Sequence, residues 1–166
     1  MNIKNTLNYG QKILNSFHIN NSILDSELLL AKVIKKDRQY IILNSKENVD
    51  KNSLKLFFRL IKRRKKGEPI AYLTNKKEFW NETFYTDQNV LIPRPDTEIV
   101  IEELLKTSFK KTQLQVLDIG VGSGCILLSF LKERPSFYGT GIDICKKSLN
   151  ISKYNAKLLH LKNRIR

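Results

Sequence analysis

One stretch limits the fold more than any other: Leu114-Gln115-Val116-Leu117-Asp118-Ile119, then Gly120-Val121-Gly122-Ser123-Gly124, then the apolar run that begins at Cys125. The first six residues have the aliphatic density of a buried strand, and three glycines at alternate positions cannot continue it. Cys125–Lys132 then reads as a helix. Glycine accepts backbone conformations closed to other residues and lets the chain come close to a ligand. The start of the next helix aims free N–H groups at the same point. Phe137–Ile142 reads as a second strand with Asp143 at its carboxyl end, and Lys146–Leu159 as a second helix. Strand, helix and strand in this order imply parallel pairing through a crossover, the opening of a wound α/β sheet.

Ligands of such sheets lie beyond the carboxyl ends of the strands. The glycine turn and Asp143 both fall there, and an acid about 20 residues past the glycines is placed to accept hydrogen bonds from ribose hydroxyls. An adenosine-containing cofactor follows. The dinucleotide fingerprint fails, because its sixth position is Cys125 counted from Gly120 and Leu127 counted from Gly122. A Walker loop is excluded by the absence of Gly-Lys-Ser/Thr. Asp118, beside the turn, would repel a pyrophosphate but pair with the ammonium of a methionine moiety. The pattern Asp-x-Gly-x-Gly-x-Gly therefore favours S-adenosylmethionine. Asp118, Gly120, Val121, Gly122, Ser123, Gly124 and Asp143 are the candidate cofactor-binding residues. The competing reading is a tight turn with a purely structural role.

Upstream, residues 1–66 read as helical. Ser22-Ile23-Leu24-Asp25 has capping-box form, and Leu24, Leu28 and Ala31 recur at helical spacing. A short helix around Arg38–Leu43 and a longer one over residues 52–66 follow. The longer helix has an apolar stripe of Leu56, Phe57, Leu60 and Ile61 against a basic face of Lys55, Arg59 and Lys62 to Lys66. That face reads first as solvated, and second as a contact for a polyanion. Gly67-Glu68-Pro69 marks a turn, and Phe79 to Tyr85 an aromatic-rich hairpin or extended segment. Ile92-Pro93-Arg94-Pro95 is stiff, because proline fixes its own φ and restricts the residue before it. A helix is expected from Asp96 or Thr97 to about Lys106. The net charge of +14 favours approach to RNA or any acidic partner without choosing among them. Lysine and asparagine are abundant from end to end, so a general compositional bias accounts for part of that charge. No apolar run nears the ~20 residues of a membrane span, and Met1 to Asn5 opens no signal peptide. Two cysteines outside any disulfide pattern fit a reducing cytoplasm. His18 and His160 stand alone, so no metal site is expected.

Four segments together resemble the HemK/PrmC release factor glutamine methyltransferases. They are Leu24 to Ala31; Gly67 to Thr74 with Lys77-Glu78-Phe79-Trp80; Leu91-Ile92-Pro93-Arg94-Pro95-Asp96-Thr97-Glu98; and Val116–Gly124 with Asp143. The resemblance implies a five-helix domain that engages a protein substrate, then a Rossmann-like class I methyltransferase domain. It implies methyl transfer from S-adenosylmethionine to the glutamine amide in the Gly-Gly-Gln loop of class-one peptide chain release factors. Gly120–Gly124 would border the cofactor, Asp143 its ribose and Asp118 its methionine end, with Ile92–Glu98 helping to close the pocket.

The expected organisation is a helical docking domain over residues 1–75, an inter-domain segment over 76–98 and an incomplete Rossmann-like domain over 99–166. The family's Asn-Pro-Pro-Tyr motif is not among these 166 residues, whose prolines are Pro69, Pro93, Pro95 and Pro135. The chain is therefore expected to stop before the catalytic motif and to be inactive by itself, and no residue here is assigned a catalytic role. Two other functions compete: a docking module for a release factor or ribosomal component without chemistry, and a nucleic-acid amino-methyltransferase. Weak contact with RNA or the ribosome through the basic surface is a further expected partnership.

Overall fold

Five helices account for most of the first 74 residues: α1 (Ile3–Ser16), α2 (Ser22–Ile34), α3 (Arg38–Leu43), α4 (Lys51–Arg64) and α5 (Ile70–Thr74). The computed structural model describes residues 1–166 and divides into two units, Met1–Thr74 and Asn75–Arg166. Three of the helices start on a side-chain cap. Asn2 accepts from the Asn5 N–H, Asp37 from Tyr40, and Asp50 from Asn52 and Ser53, which satisfies donors that have no partner inside the helix.

The capping box expected at Ser22 does not form. Asn21 holds the cap position without a side-chain bond, the Ser22 hydroxyl donates to Asn15 Oδ1, and Asp25 accepts from Arg64 Nε at 2.7 Å. The tertiary ion pair of the buried Asp25 outweighs the local cap. The apolar phase of α2 is also shifted. Ala31 is buried as expected and Leu28 is half-buried, but Leu29, Leu30 and Val33 are buried too and Leu24 is exposed, because an unbroken apolar run has no single helical phase to read. On α4, Phe57, Leu60 and Ile61 are buried as expected, but Leu56 is exposed. Gly10 lets α1 approach its neighbours, since a Cβ there would lie 2.8 Å from Phe57 Cζ and 3.0 Å from Ser26 Oγ.

The second unit begins with a hairpin, β1 (Lys77–Phe79) and β2 (Glu82–Phe84), paired antiparallel. Its connection, Trp80-Asn81, has φ of 49° and 60°, the handedness that fits the twist of a two-residue hairpin loop. Phe79 and Phe84 enter the core of this unit with Ile101, Leu127, Leu128, Phe130, Leu131 and Phe137. A 3-10 turn at Pro95–Thr97 leads into α6 (Glu98–Thr107). The α/β part follows as β3 (Gln115–Ile119), α7 (Cys125–Glu133), β4 (Tyr138–Ile142) and α8 (Lys146–Leu158).

β3 and β4 run parallel, from Gln115 opposite Tyr138 to Ile119 opposite Ile142. This is the expected helical part followed by the first strands of a Rossmann-like sheet. Gly139 allows α7 to lie close on one face, since a Cβ there would stand 2.6 Å from Leu127 Cδ1. The opposite face is bare, with Leu117 59% and Ile119 76% exposed. On the far edge of β4, the Gly141 N–H donates to the Arg166 carbonyl and the Arg166 N–H to the Gly139 carbonyl, both at 3.0 Å. No helix is long and apolar enough to cross a membrane.

Candidate cofactor site

The loop after β3 folds over the end of β4. The Gly120 and Val121 N–H groups both donate to the Ile142 carbonyl, at 2.8 and 3.0 Å. Gly120, Gly122 and Gly124 have φ of 82°, 54° and 82°, a region that side-chain-bearing residues enter only under strain. The three glycines nevertheless serve different ends. A Cβ on Gly120 would meet nothing within 4 Å, and one on Gly122 only the Gly120 carbonyl at 3.8 Å. One on Gly124 would strike Leu128 Cδ1 and Ser152 Oγ at 2.8 Å. The first two glycines border open space, and the third seats the loop against the helices.

Asp143 is tied to this loop directly. Its Oδ2 accepts the Gly122 N–H at 2.9 Å and its Oδ1 the Cys145 N–H at 2.8 Å. The sequence separation of 21 residues is closed by the parallel register, which brings the ends of β3 and β4 side by side. Asp118, near the end of β3, has its carboxyl pushed above the usual carboxylate range. Burial is the main cause and the nearby Asp143 carboxylate adds to it, while the Leu127 N–H in the first turn of α7 pulls the other way.

Asn155 belongs to the same construction and was not legible in the sequence. Its side chain is fully buried on α8. Nδ2 donates to the Ser123 carbonyl at 2.8 Å and to the Tyr85 carbonyl at 3.0 Å, and Oδ1 accepts the Tyr85 N–H at 2.7 Å. One amide thus fastens the glycine loop to the chain that leaves the hairpin. An asparagine inside a helix carries no local signal of such a role; only its tertiary position reveals it. Trp80 lies against the core and is also held by hydrogen bonds. Its backbone N–H donates to Glu98 Oε1 at 3.0 Å and its indole N–H to Glu133 Oε1 at 2.9 Å.

The chemistry of these groups fits S-adenosylmethionine. Each Asp143 oxygen accepts one backbone bond and keeps capacity for another, which suits two ribose hydroxyls. A half-buried carboxylate at Asp118, destabilised by a second negative charge, gains from an incoming ammonium. The open space before Gly120 and Gly122 admits a ligand against the backbone.

Residues 5–74 match the PrmC N-terminal domain family. Among the curated relatives, several carry the name release factor glutamine methyltransferase. That of Buchnera aphidicola subsp. Baizongia pistaciae is 41% identical over 98% of this chain and 58% of its own length. That of Clostridium acetobutylicum is 37% identical over 100% of this chain and 58% of its own length. That of Coxiella burnetii is 39% identical over 84% of this chain and 50% of its own length. The chain therefore spans a little over half the length of the relatives it matches. Among solved structures, YjhP from E. coli covers 43% of this chain at 29% identity with a TM-score of 0.38, an overlap too small to inform the fold. Residues 5–74 thus carry the PrmC N-terminal domain, and the chain as a whole is similar to part of the release factor glutamine methyltransferases.

Proposed function

We propose that these residues form the substrate-docking domain and the first half of the cofactor pocket of an S-adenosylmethionine-dependent enzyme. Its reaction is methylation of the glutamine amide in the Gly-Gly-Gln loop of class-one release factors. The observation that carries the reading is the Asp143 carboxylate bonded to the Gly122 N–H, at the carboxyl ends of two parallel strands. When bound, S-adenosylmethionine supplies a methyl group activated by its sulfonium charge. The residues present here bind and orient. Gly120 and Gly122 admit the cofactor against the backbone, Asp143 accepts from its ribose hydroxyls, and Asp118 balances its ammonium. Asn155 holds the loop that does this. An amide is a poor nucleophile, so positioning supplies most of the rate, and no residue among these 166 is assigned to positioning the amide.

Calorimetry of S-adenosylmethionine binding to the purified chain tests the assignment. We expect micromolar binding, weakened at least tenfold by Asp143→Ala in a variant whose thermal melt is otherwise preserved. Release-factor capture without any cofactor binding would replace this reading with that of a docking module. The separate core of the first unit, built on Leu14, Leu29, Leu30, Ile41, Phe57 and Ile61, is the feature that favours that alternative.

A further inference from the structure

The basic run at the end of α4 is not uniform. Arg63 pairs with Glu68, Arg64 with Asp25, and Lys65 lies over the Phe17 ring at 4.6 Å. Lys62 and Lys66, which flank these three, are exposed and make no ion pair. They continue a line that starts at the other end of the helix: Lys51, Lys55, Arg59, Lys62 and Lys66, all exposed and none joined to a carboxylate. At 3.6 residues per turn Lys51, Lys55, Arg59 and Lys62 fall within an arc of about 80° on α4, and at 1.5 Å per residue they extend over roughly 16 Å; Lys66 lies in the turn that follows the helix. The line lies away from the buried Phe57, Leu60 and Ile61.

Ordinary helix electrostatics does not produce this line. Cations are favoured in the last turn of a helix and disfavoured in the first, yet Lys51 is the first residue of α4 and the first turn holds no acid. Successive members are three or four residues apart, the spacing at which like charges repel. The six carboxylates of residues 1–74 lie off the line: Asp25, Glu27 and Glu68 pair with arginines, Glu47 with the Tyr40 hydroxyl, and Asp37 and Asp50 cap helices. The line has no aromatic residue and no large apolar anchor of the kind that concentrates affinity in protein interfaces. A row of bare cations without such an anchor complements a row of phosphates.

We infer that the Lys51–Lys55–Arg59–Lys62 face of α4, with Lys66 in the turn after it, binds the phosphate backbone of double-stranded RNA, independently of sequence. Recognition of this kind works through backbone and shape, and it rests on neither cofactor binding nor methyl transfer.

Fluorescence anisotropy of a labelled RNA hairpin with a 20-base-pair stem, titrated with the full chain across a salt series, provides the test. The triple substitution Lys55→Ala, Arg59→Ala, Lys62→Ala is compared with Lys110→Ala, Lys111→Ala, Lys157→Ala, which removes the same charge from exposed positions elsewhere. We expect the α4 triple to weaken binding at least tenfold and to reduce the slope of log K against log salt by about 3, since each lost phosphate contact removes close to one unit. The control triple should change the affinity less than threefold. Alanine favours helix, so far-UV dichroism should be unchanged in both. Equal losses in the two triples would overturn the assignment in favour of net charge alone. Tighter binding to poly-glutamate than to the RNA, with the same dependence on α4, would overturn it in favour of an acidic protein partner. S-adenosylmethionine affinity, unaltered in the α4 triple, separates this outcome from failure of the cofactor site.

Discussion

Two carboxylates meet at the ends of neighbouring strands, and Asp118 carries the cost of that meeting. Burial and the Asp143 charge raise its folded-state pKa above the ordinary value of 3.8. A carboxyl raised in this way destabilises the fold wherever it must be ionised, above the folded pKa. The cost fades as pH falls through that pKa and is gone below the unfolded value. Asp118→Asn should therefore stabilise the chain at pH 7 by about 0.5 kcal/mol, a figure kept small because the group is only half buried and partly screened. The gain should vanish near pH 3. The same substitution removes the partner proposed for the cofactor ammonium, so S-adenosylmethionine should bind more weakly while the melt moves up. Paired melts at the two pH values and a calorimetric titration read both effects. A variant that loses stability and affinity together would mean that Asp118 serves the fold alone.

At the scale of elements, Asn155 decides whether the glycine loop and the segment after the hairpin stay together. Its three bonds join α8 to Ser123 and to both backbone groups of Tyr85. Asn155→Ala strands those partners in a buried setting, so we expect a loss of about 2–4 kcal/mol, from several hydrogen bonds broken with their partners left unpaired. Hydrogen exchange at the Tyr85 amide should accelerate more than exchange in α6. Uniform acceleration across the second unit would show that the substitution merely lowers global stability.

The strand–turn–helix unit around Gly120 was legible because its signals are local: aliphatic density, alternating glycines and an acid at fixed spacing. The start of α2 was not. A sequence of capping-box form gave way to the Asp25–Arg64 pair, which spans 39 positions and leaves no trace in local pattern. The basic face of α4 was legible only as a run. Which of its cations are consumed depends on Glu68, Asp25 and Phe17, whose positions come from tertiary packing.

Across the whole chain, apolar surface and charge work against each other. Each unit has its own core, but the β3–β4 pair is covered by helix on one face only. Leu117, Ile119 and Ile142 are exposed on the other, with Ile144 just beyond. A contiguous apolar patch of this kind is rare on a soluble surface and binds apolar dyes and surfaces alike. The net charge of +14 opposes its consequence by keeping copies of the chain apart. The folded chain should therefore enhance the fluorescence of anilinonaphthalene sulfonate without any loss of helical dichroism. Because the dye is an anion, part of that signal could come from the basic surface, and salt separates the two contributions. Screening shortens from about 10 Å at 0.1 M to about 3 Å at 1 M, so charge-held dye is released while patch-held dye remains. The salt-resistant signal should fall by at least half in Leu117→Thr, Ile119→Thr, because threonine has the β-branched shape suited to a strand and removes apolar area. If the salt-resistant signal survives that double substitution, the dye reports loosened packing elsewhere, and the β3–β4 face is not the dominant apolar surface of the molecule.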